Sequence, residues 1–185
     1  MAYMEIEKKF LIKRLPDNID SYRKKEIEQG YLNRKPVLRI RKSNDDYILT
    51  YKGKLSEATE ATIVNNEIEA PLTRDAYYHL REKVDNNIIS KTRYIIPIGT
   101  AAVCCPGMDE SAPDDSGCAS GEAILKIELD VFHGKLEGLR FAEVEFPTVD
   151  AAEHFSAPEW FGADVSADKR YSNGHLSELD GLEDF

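Results

Sequence analysis

The sequence predicts a mainly β fold of the α+β class: eight antiparallel strands closed into a barrel with a charged interior and a few outer helices. The first observation is the segment Glu5 to Leu11, in which charged and apolar side chains alternate along a strand. The same alternation returns on most later strands, and their opposite faces are largely apolar. An amphipathic helix also needs an apolar surface to cover. Closing the strands therefore turns the charged faces inward.

Each strand prediction rests on a run of alternating residues bounded by turn residues. The predicted strands are residues 3–12, 27–33, 37–42, 47–52, 62–70, 88–96, 123–132 and 139–146. Asn44 to Asp46 form a turn cluster, which predicts a hairpin between the third and fourth strands.

The main helix is predicted over residues 74–85, because apolar residues recur there at helical spacing after a Thr73 N-cap. Residues 19–25 are expected to form a short helix or a loop, and a short helix is expected near 149–155. Residues 166–180 are predicted as mixed loop and helix. The acidic end, residues 178–185, is expected to fray.

Composition favours one folded domain over residues 1–185, since this length and a 42% hydrophobic share suffice for a real core. The net charge of −10 argues against nucleic acid and anionic membranes as partners. The sequence contains no run of 18 apolar residues, so no membrane span is predicted. No signal peptide is apparent either, and a cytoplasmic protein is therefore expected.

Residues 99–121 differ from the rest, being small, acidic and rich in Gly, Pro and Ser without any strand or helix period. They are predicted to be a flexible insertion between two strands.

The charged faces carry two segregated sets of side chains. The acids are Glu5, Glu7, Glu67, Glu69, Glu128, Asp130, Glu143 and Glu145. The bases are Lys9, Arg39, Arg41, Lys52, Lys91, Arg93 and Lys126. Clustered carboxylates suit Mg²⁺ or Mn²⁺, and clustered Lys and Arg suit phosphate oxygens. A metal-bound polyphosphate fits both sets. A barrel in which all these charges only pair with one another, or an open sheet with a wet charged face, is the alternative.

The ordered motifs resemble the CYTH family of triphosphate tunnel metalloenzymes. They are Glu5-x-Glu7-x-Lys9, Gln29-Gly30-Tyr31-Leu32, Arg39-x-Arg41, Thr50-x-Lys52, Glu67-x-Glu69, Lys91-Thr92-Arg93-Tyr94, Glu128-x-Asp130-x-Phe132, Glu143-x-Glu145 and Asp168 to Asn173. The resemblance implies an eight-stranded tunnel, and it extends from residue 3 to about residue 176.

The resemblance implies a hydrolase of inorganic tripolyphosphate that depends on one or two Mg²⁺ or Mn²⁺ ions, held by the acids above. The bases, with Lys169 added, would bind substrate, and Lys9 and Tyr31 would form a catalytic pair. The alternative to a catalytic role is that Tyr31 is an aromatic residue of the core. A homodimer is a further expectation from the family, although no residue pattern marks a dimer contact.

Three other functions stay open from the sequence. The family that the motifs resemble also includes adenylyl cyclases of class IV and enzymes that hydrolyse thiamine triphosphate or a nucleoside triphosphate. A polyphosphate-binding module without catalysis is the third, although a pure anion binder has no use for so many carboxylates.

Overall fold

The computed structural model describes residues 6–54, 65–103 and 121–185. Glu5, the first residues of the strand expected at 62–70 and most of the segment 99–121 lie outside the described residues. Within the described ranges, no helix is long and apolar enough to cross a membrane.

One antiparallel sheet forms most of the fold, which confirms the mainly β prediction. Its strands are β1 (Ile6–Ile12), β2 (Arg23–Arg34), β3 (Val37–Ser43), β4 (Asp46–Lys54), β5 (Asn65–Pro71), β6 (Ile89–Val103), β7 (Gly121–His133), β8 (Arg140–Phe146) and β9 (Phe161–Asp164). The α-helices of the described chain are α1 (Arg74–Arg81), α2 (Val149–Glu153) and α3 (Asn173–Leu176). Strands β1 to β8 correspond to the eight predicted strands, whereas β9 was not predicted.

The described sheet has nine strands and is not closed, so the prediction of a closed eight-stranded barrel is wrong in that detail. The strand order is β5-β4-β3-β2-β6-β7-β8-β1-β9, and no pairing joins the two end strands within the described residues. The unpredicted β9 pairs with β1, placing Asp164 opposite Phe10 and Phe161 opposite Ile12. Over these residues β1 is paired on both edges, since β8 occupies the other.

The sheet nevertheless curves around a cavity, because side chains from β1 and from β5 line the same space. The alternation of the strands decides which residues face it. On β1, Glu7 and Lys9 line the cavity, whereas Phe10 is buried in the core on the other face. The predicted inward charged face is therefore confirmed for this strand.

The main core lies on the outer face of the sheet. Phe10, Leu129 and Val144 are buried there, and the core extends to Ala152 of α2 and Phe161 of β9. Burial of such side chains stabilises each by about 1.5–3 kcal/mol. This core fixes β1, β7 and β8 side by side, and their other faces carry charged side chains into the cavity.

A second apolar cluster closes one end of the charged face. By strand alternation, Phe132 follows Glu128 and Phe141 precedes Glu143 on the inward side. These two rings pack with centroids 5.0 Å apart, and Leu176 and Leu179 from the C-terminal residues are buried against the same cluster. We call this cluster the apolar floor; it lies beneath one end of the charged face, behind the residues that line the cavity.

The C-terminal residues form part of that floor, so the expectation that residues 178–185 fray is wrong. Leu179 is buried, and its carbonyl accepts a hydrogen bond from the Asn87 side chain at 2.9 Å. The Phe185 ring lies 4.7 Å from that of Tyr171. The acidic residues suggested a solvated end, but the leucines between them bury it.

Three other boundaries differ from the predictions. Strand β2 begins at Arg23, four residues before the predicted start. Helix α1 ends at Arg81 rather than at residue 85, because the chain turns back and the Asp85 N–H donates to the Tyr31 carbonyl at 2.9 Å. Strands β6 and β7 extend to Val103 and from Gly121, so residues 99–103 belong to a strand instead of the predicted insertion.

Candidate active site

A cavity of about 460 Å³ occupies the concave face of the sheet. It brings together most of the predicted site residues, from the eight strands β1 to β8. Those that line it are Glu7, Lys9, Tyr31, Arg39, Arg41, Lys52, Glu67, Glu69, Lys91, Arg93, Lys126, Glu128, Glu143 and Glu145. Two predicted site residues, Asp130 and Lys169, are not among its lining residues. The predicted ligand Glu5 lies outside the described residues.

One side of the cavity is made by β6, β7, β8 and β1, and we call it the paired wall because its cations already have carboxylate partners. Lys9 Nζ lies 3.0 Å from Glu143 Oε1, and Arg93 Nη2 donates to Glu143 Oε2 at 2.8 Å. Glu128 pairs with Arg93 and accepts from Lys126 Nζ at 2.9 Å. These links hold the cations in place before any ligand arrives.

The ion pairs determine the charge state of the paired wall. Burial alone would raise the pKa of Glu143, but Arg93, Lys91 and Lys9 outweigh it, so that its pKa falls below the ordinary value. Burial disfavours the charged form of Arg93, yet Asp130 and Glu143 raise its pKa above the usual range. Both side chains are therefore charged at neutral pH.

The opposite side is made by β2, β3, β4 and β5, and we call it the arginine wall. Arg39 Nη2 lies 3.9 Å from Glu67 Oε1 and donates to Thr50 Oγ1 at 3.3 Å. Lys52 Nζ lies 3.1 Å from Glu67 Oε2. Among the described contacts, one carboxylate thus serves two cations on this wall.

Arg41, on the arginine wall, is the least compensated cation of the cavity. No carboxylate in the described part of the chain lies within ion-pairing distance of it, and its buried Nε has no hydrogen-bond partner. Burial lowers the pKa of Arg41, and the neighbouring Arg39 and Arg93 lower it further, with only partial relief from Glu69. A buried guanidinium without a partner is costly, so an anion in the cavity would stabilise this arrangement.

The predicted catalytic pair, Lys9 and Tyr31, lies on opposite walls. Lys9 Nζ donates to the Tyr171 carbonyl at 3.1 Å in addition to its Glu143 pair. Tyr31 is 7% exposed, and no hydrogen bond joins it to Lys9 among the described side chains. Burial raises the pKa of the Tyr31 hydroxyl, although Arg39 and Arg41 oppose this, so the phenol keeps its proton at neutral pH.

Two predicted site residues occupy other positions. Asp130 is completely buried and ion-paired with Lys91 and Arg93 behind the cavity surface. Lys169 is exposed on a short 3₁₀ turn (Lys169–Tyr171) and is not a lining residue. Strand alternation predicts which face of the sheet Asp130 lies on, but not how deeply its side chain is buried. Lys169 lies on no strand, so alternation could not predict which way its side chain faces.

Several lining residues were not predicted as site residues. Gln29 is 1% exposed, and its Nε2 has no hydrogen-bond partner. The backbone turn at Ser172, Asn173 and Gly174 covers the cavity from the C-terminal side, where Asn173 Oδ1 accepts from Lys91 Nζ at 3.5 Å. Gln29 sits two residues after the inward-facing Ile27, so its position on β2 contained the signal. The turn lies at the start of α3, where strand alternation gives no information about which side chains face the cavity.

The carboxylates of the cavity are suited to a hard divalent cation by their chemistry, since Mg²⁺ and Mn²⁺ prefer oxygen ligands. Glu7 and Glu145 are direct cross-strand partners on β1 and β8. Like charges directly opposite destabilise a strand pair, and a cation between them would remove that repulsion. The described residues contain no closed group of three metal-ligating side chains. Phosphate oxygens or water would therefore have to complete such a site.

These features define a class of protein in which a curved antiparallel sheet encloses a cavity lined by both cations and carboxylates. The model of the CYTH domain family matches residues 4–161, and the chain belongs to that family. This confirms the resemblance inferred from the ordered motifs.

Two curated relatives match nearly the whole sequence of this chain. The chain is 31% identical over 176 residues to a Nitrosomonas europaea protein named inorganic triphosphatase, covering 94% of this chain and 96% of the relative. It is 30% identical over 175 residues to an Acetivibrio thermocellus protein of the same name, covering 93% and 92% of the two chains. A crystal structure of the inorganic triphosphatase NE1496 aligns with a TM-score of 0.63 at 29% identity, covering 96% of each chain.

Proposed function

We propose that this protein hydrolyses inorganic tripolyphosphate to diphosphate and phosphate, with a divalent cation as cofactor. The observation that carries the proposal is the half-buried Arg41 beside Arg39, whose buried Nε has no hydrogen-bond partner among the described residues, in a cavity lined by further cations. Guanidinium groups bind phosphate oxygens in pairs, and a polyphosphate chain would supply the missing partner. The names of the two relatives, both inorganic triphosphatases, agree with this assignment.

The charge balance of the cavity supports the need for a metal ion. Seven cationic side chains and six carboxylates line the described cavity, so its own net charge is small. A free polyphosphate would bring several negative charges next to those carboxylates. Mg²⁺ or Mn²⁺ between the two would turn that repulsion into attraction. Which of these ions is used, and whether one or two bind, stays a prediction of the sequence.

The acids of the cavity differ in position. Glu67, Glu128 and Glu143 lie beside cations of the two walls. Glu7 and Glu145, which the β1–β8 register places opposite each other, would be the main protein ligands of a metal, with Glu69 and Glu5 as further candidates. A divalent cation held there polarises phosphate oxygens and lowers the pKa of a bound water.

The bases would bind and orient the phosphate chain, and they would offset charge that develops on it in the transition state. In the reaction, a water oxygen bonds to a terminal phosphorus while the bridging P–O bond breaks. Diphosphate leaves, and the water proton passes to a phosphate or carboxylate oxygen. Lys9, which is fixed by Glu143, would stabilise the leaving oxygens from one wall. Tyr31, protonated and beside Arg39, would donate a hydrogen bond from the other wall.

The lining also favours an inorganic substrate over a nucleotide. Among the described lining residues, Ile27 and Tyr31 are the only large apolar or aromatic side chains. A purine or thiazolium ring would have little surface to stack on. Adenylyl cyclase and thiamine or nucleoside triphosphatase activity are therefore the alternatives that the first experiment must separate.

We also propose that residues 1–185 act as a single domain, since the C-terminal turn at Ser172 and the strands share the same cavity. A cytoplasmic location and a homodimer stay predictions.

The decisive experiment measures phosphate release from tripolyphosphate, ATP and thiamine triphosphate in parallel with Mg²⁺, Mn²⁺ or a chelator. We expect metal-dependent release that is fastest with tripolyphosphate. The control variant Arg170→Gln changes an exposed arginine that pairs with Asp168 away from the cavity, and it should behave as wild type. Cyclic AMP formation from ATP without phosphate release would contradict the proposal. Tight tripolyphosphate binding without turnover would favour the binding module instead.

A further inference from the structure

We infer that Asp130 is a positioning residue, which holds Arg93 and Lys91 in place for the phosphate chain, rather than a ligand of the metal. The inference rests on the proposed function, because it concerns how the paired wall binds the same substrate. It also replaces the role that the sequence pattern predicted for Asp130.

Both carboxylate oxygens of Asp130 already accept hydrogen bonds from these two cations. Oδ1 accepts from Arg93 Nε at 2.6 Å, and Oδ2 accepts from Arg93 Nη2 at 2.7 Å. Lys91 Nζ also donates to Oδ2, at 2.6 Å. The contact with Arg93 is bidentate, which fixes the plane of the guanidinium as well as its position.

The surroundings of Asp130 separate it from the cavity. Its side chain is 0% exposed, and its direct cross-strand neighbours are Arg93 on β6 and Phe141 on β8. Phe132, two residues further along β7, belongs to the apolar floor. Asp130 therefore lies between the charged surface and that floor, where a metal ion would have to replace Lys91 or Arg93 to reach it.

The two cations held by Asp130 do line the cavity. Arg93 has five N–H groups, of which Asp130 takes two and Glu128 and Glu143 take one each. Lys91 donates to Asp130 and to Asn173. Counting the contacts between described residues, one N–H group on each cation remains for a ligand. Because the other donors are committed, that remaining N–H has a fixed direction, and a shift of the guanidinium by about 1 Å would reduce catalysis about 100-fold.

The variant Asp130→Asn keeps the shape of the side chain and removes its charge. We expect the affinity for tripolyphosphate in chelator, where no turnover occurs, to weaken at least about tenfold. With metal present, kcat/KM should fall about 100-fold. The Mg²⁺ concentration that gives half-maximal activity at saturating substrate should stay within about twofold of wild type. This set of changes separates lost positioning from a lost metal ligand.

Three results would overturn the inference. Unchanged tripolyphosphate affinity in chelator, combined with a tenfold rise in the half-saturating Mg²⁺ concentration, would make Asp130 a metal ligand. Tighter tripolyphosphate binding would mean that Asp130 acts only as a negative charge near the substrate. Wild-type values throughout would remove any role. If wild type itself hydrolyses no tripolyphosphate, the proposed function fails, and the binding measurement in chelator still tests Asp130.

A second variant keeps the inference testable if Asp130→Asn does not fold. Arg93→Lys retains the charge but lacks the fork that binds Asp130 through two parallel hydrogen bonds. We expect it to weaken tripolyphosphate binding in chelator at least about tenfold while the Mg²⁺ dependence stays that of wild type. Normal affinity in this variant would show that the orientation of the guanidinium is unimportant.

Discussion

Arg41→Gln is the substitution that tests the anion site most directly. Arg41 is the cavity cation without a carboxylate partner in the described chain, so its free N–H groups are available to phosphate oxygens. A hydrogen bond to a charged group contributes about 1.5–3 kcal/mol. Its loss should weaken tripolyphosphate binding about 10- to 150-fold. Isothermal titration calorimetry in chelator measures this affinity without turnover.

The same variant should not destabilise the protein, which is unusual for the loss of a buried charged residue. Burial and repulsion by Arg39 and Arg93 already disfavour the charged form of Arg41 and lower its pKa. Removing the charge relieves that strain, and each kcal/mol gained raises the Tm by about 2–4 °C for a chain of this size. The matched variant Arg39→Gln should lower the Tm instead, because Glu67 loses one of its two cations.

Two results would refute this reasoning about Arg41. An Arg41→Gln protein that binds tripolyphosphate with wild-type affinity would remove the arginine wall from the substrate site. A clear fall in Tm would show that Arg41 has a stabilising partner in the folded protein. Arg170→Gln, which changes an exposed arginine, supplies the baseline for both measurements.

Three further predictions concern the metal site, pH dependence and packing. Glu7→Gln should reduce metal-dependent turnover at least about tenfold, because it removes one of the two facing carboxylates proposed to bind the metal; unchanged kinetics would remove β1 from the metal site. Burial lowers the pKa of Lys91 to about 8, so Lys91 loses its charge as the pH rises through about 8. The ratio of the wild-type affinity for tripolyphosphate to that of Lys91→Met should therefore decline over this pH range, and a constant ratio would contradict this. Gly30→Ala should destabilise by about 1–3 kcal/mol in denaturant unfolding, since a Cβ there would lie 2.6 Å from Val84 and Ile88; equal stability would mean that α1 and its loop can shift.

The inward charged face could be predicted from sequence because a strand has a strict period of two. Glu128 and Glu143 lie in the cavity for that reason alone. How deeply each of these side chains is buried could not be predicted in this way. Asp130 shares the face of Glu128, yet the Phe132 and Phe141 rings and two long cations enclose it. These neighbours come from other strands, so the alternation along β7 contains no information about them.

The ninth strand could not be predicted for a related reason. Strand β9 has four residues, too few to show an alternating pattern, and it begins at Phe161, whose ring packs 4.9 Å from that of Phe10. Gly162 permits the close approach to β1, since a Cβ there would lie 3.1 Å from the Leu11 carbonyl oxygen. The extension of β6 was hidden by Pro97 and Gly99, which the sheet accommodates by a shift in register.

The sequence also could not assign separate roles to acids that look alike. Glu128 and Glu143 are bound by cations of the paired wall, whereas Glu7 and Glu145 oppose each other at a distance set by the β1–β8 register. In the proposed function, the first arrangement would orient cations towards a polyanion, and the second would bind a divalent cation. Because the cavity holds nearly equal numbers of both signs, polyphosphate should bind more weakly without a metal ion than with one. A complex of the two satisfies both walls, which is why the carboxylates belong in a phosphate site.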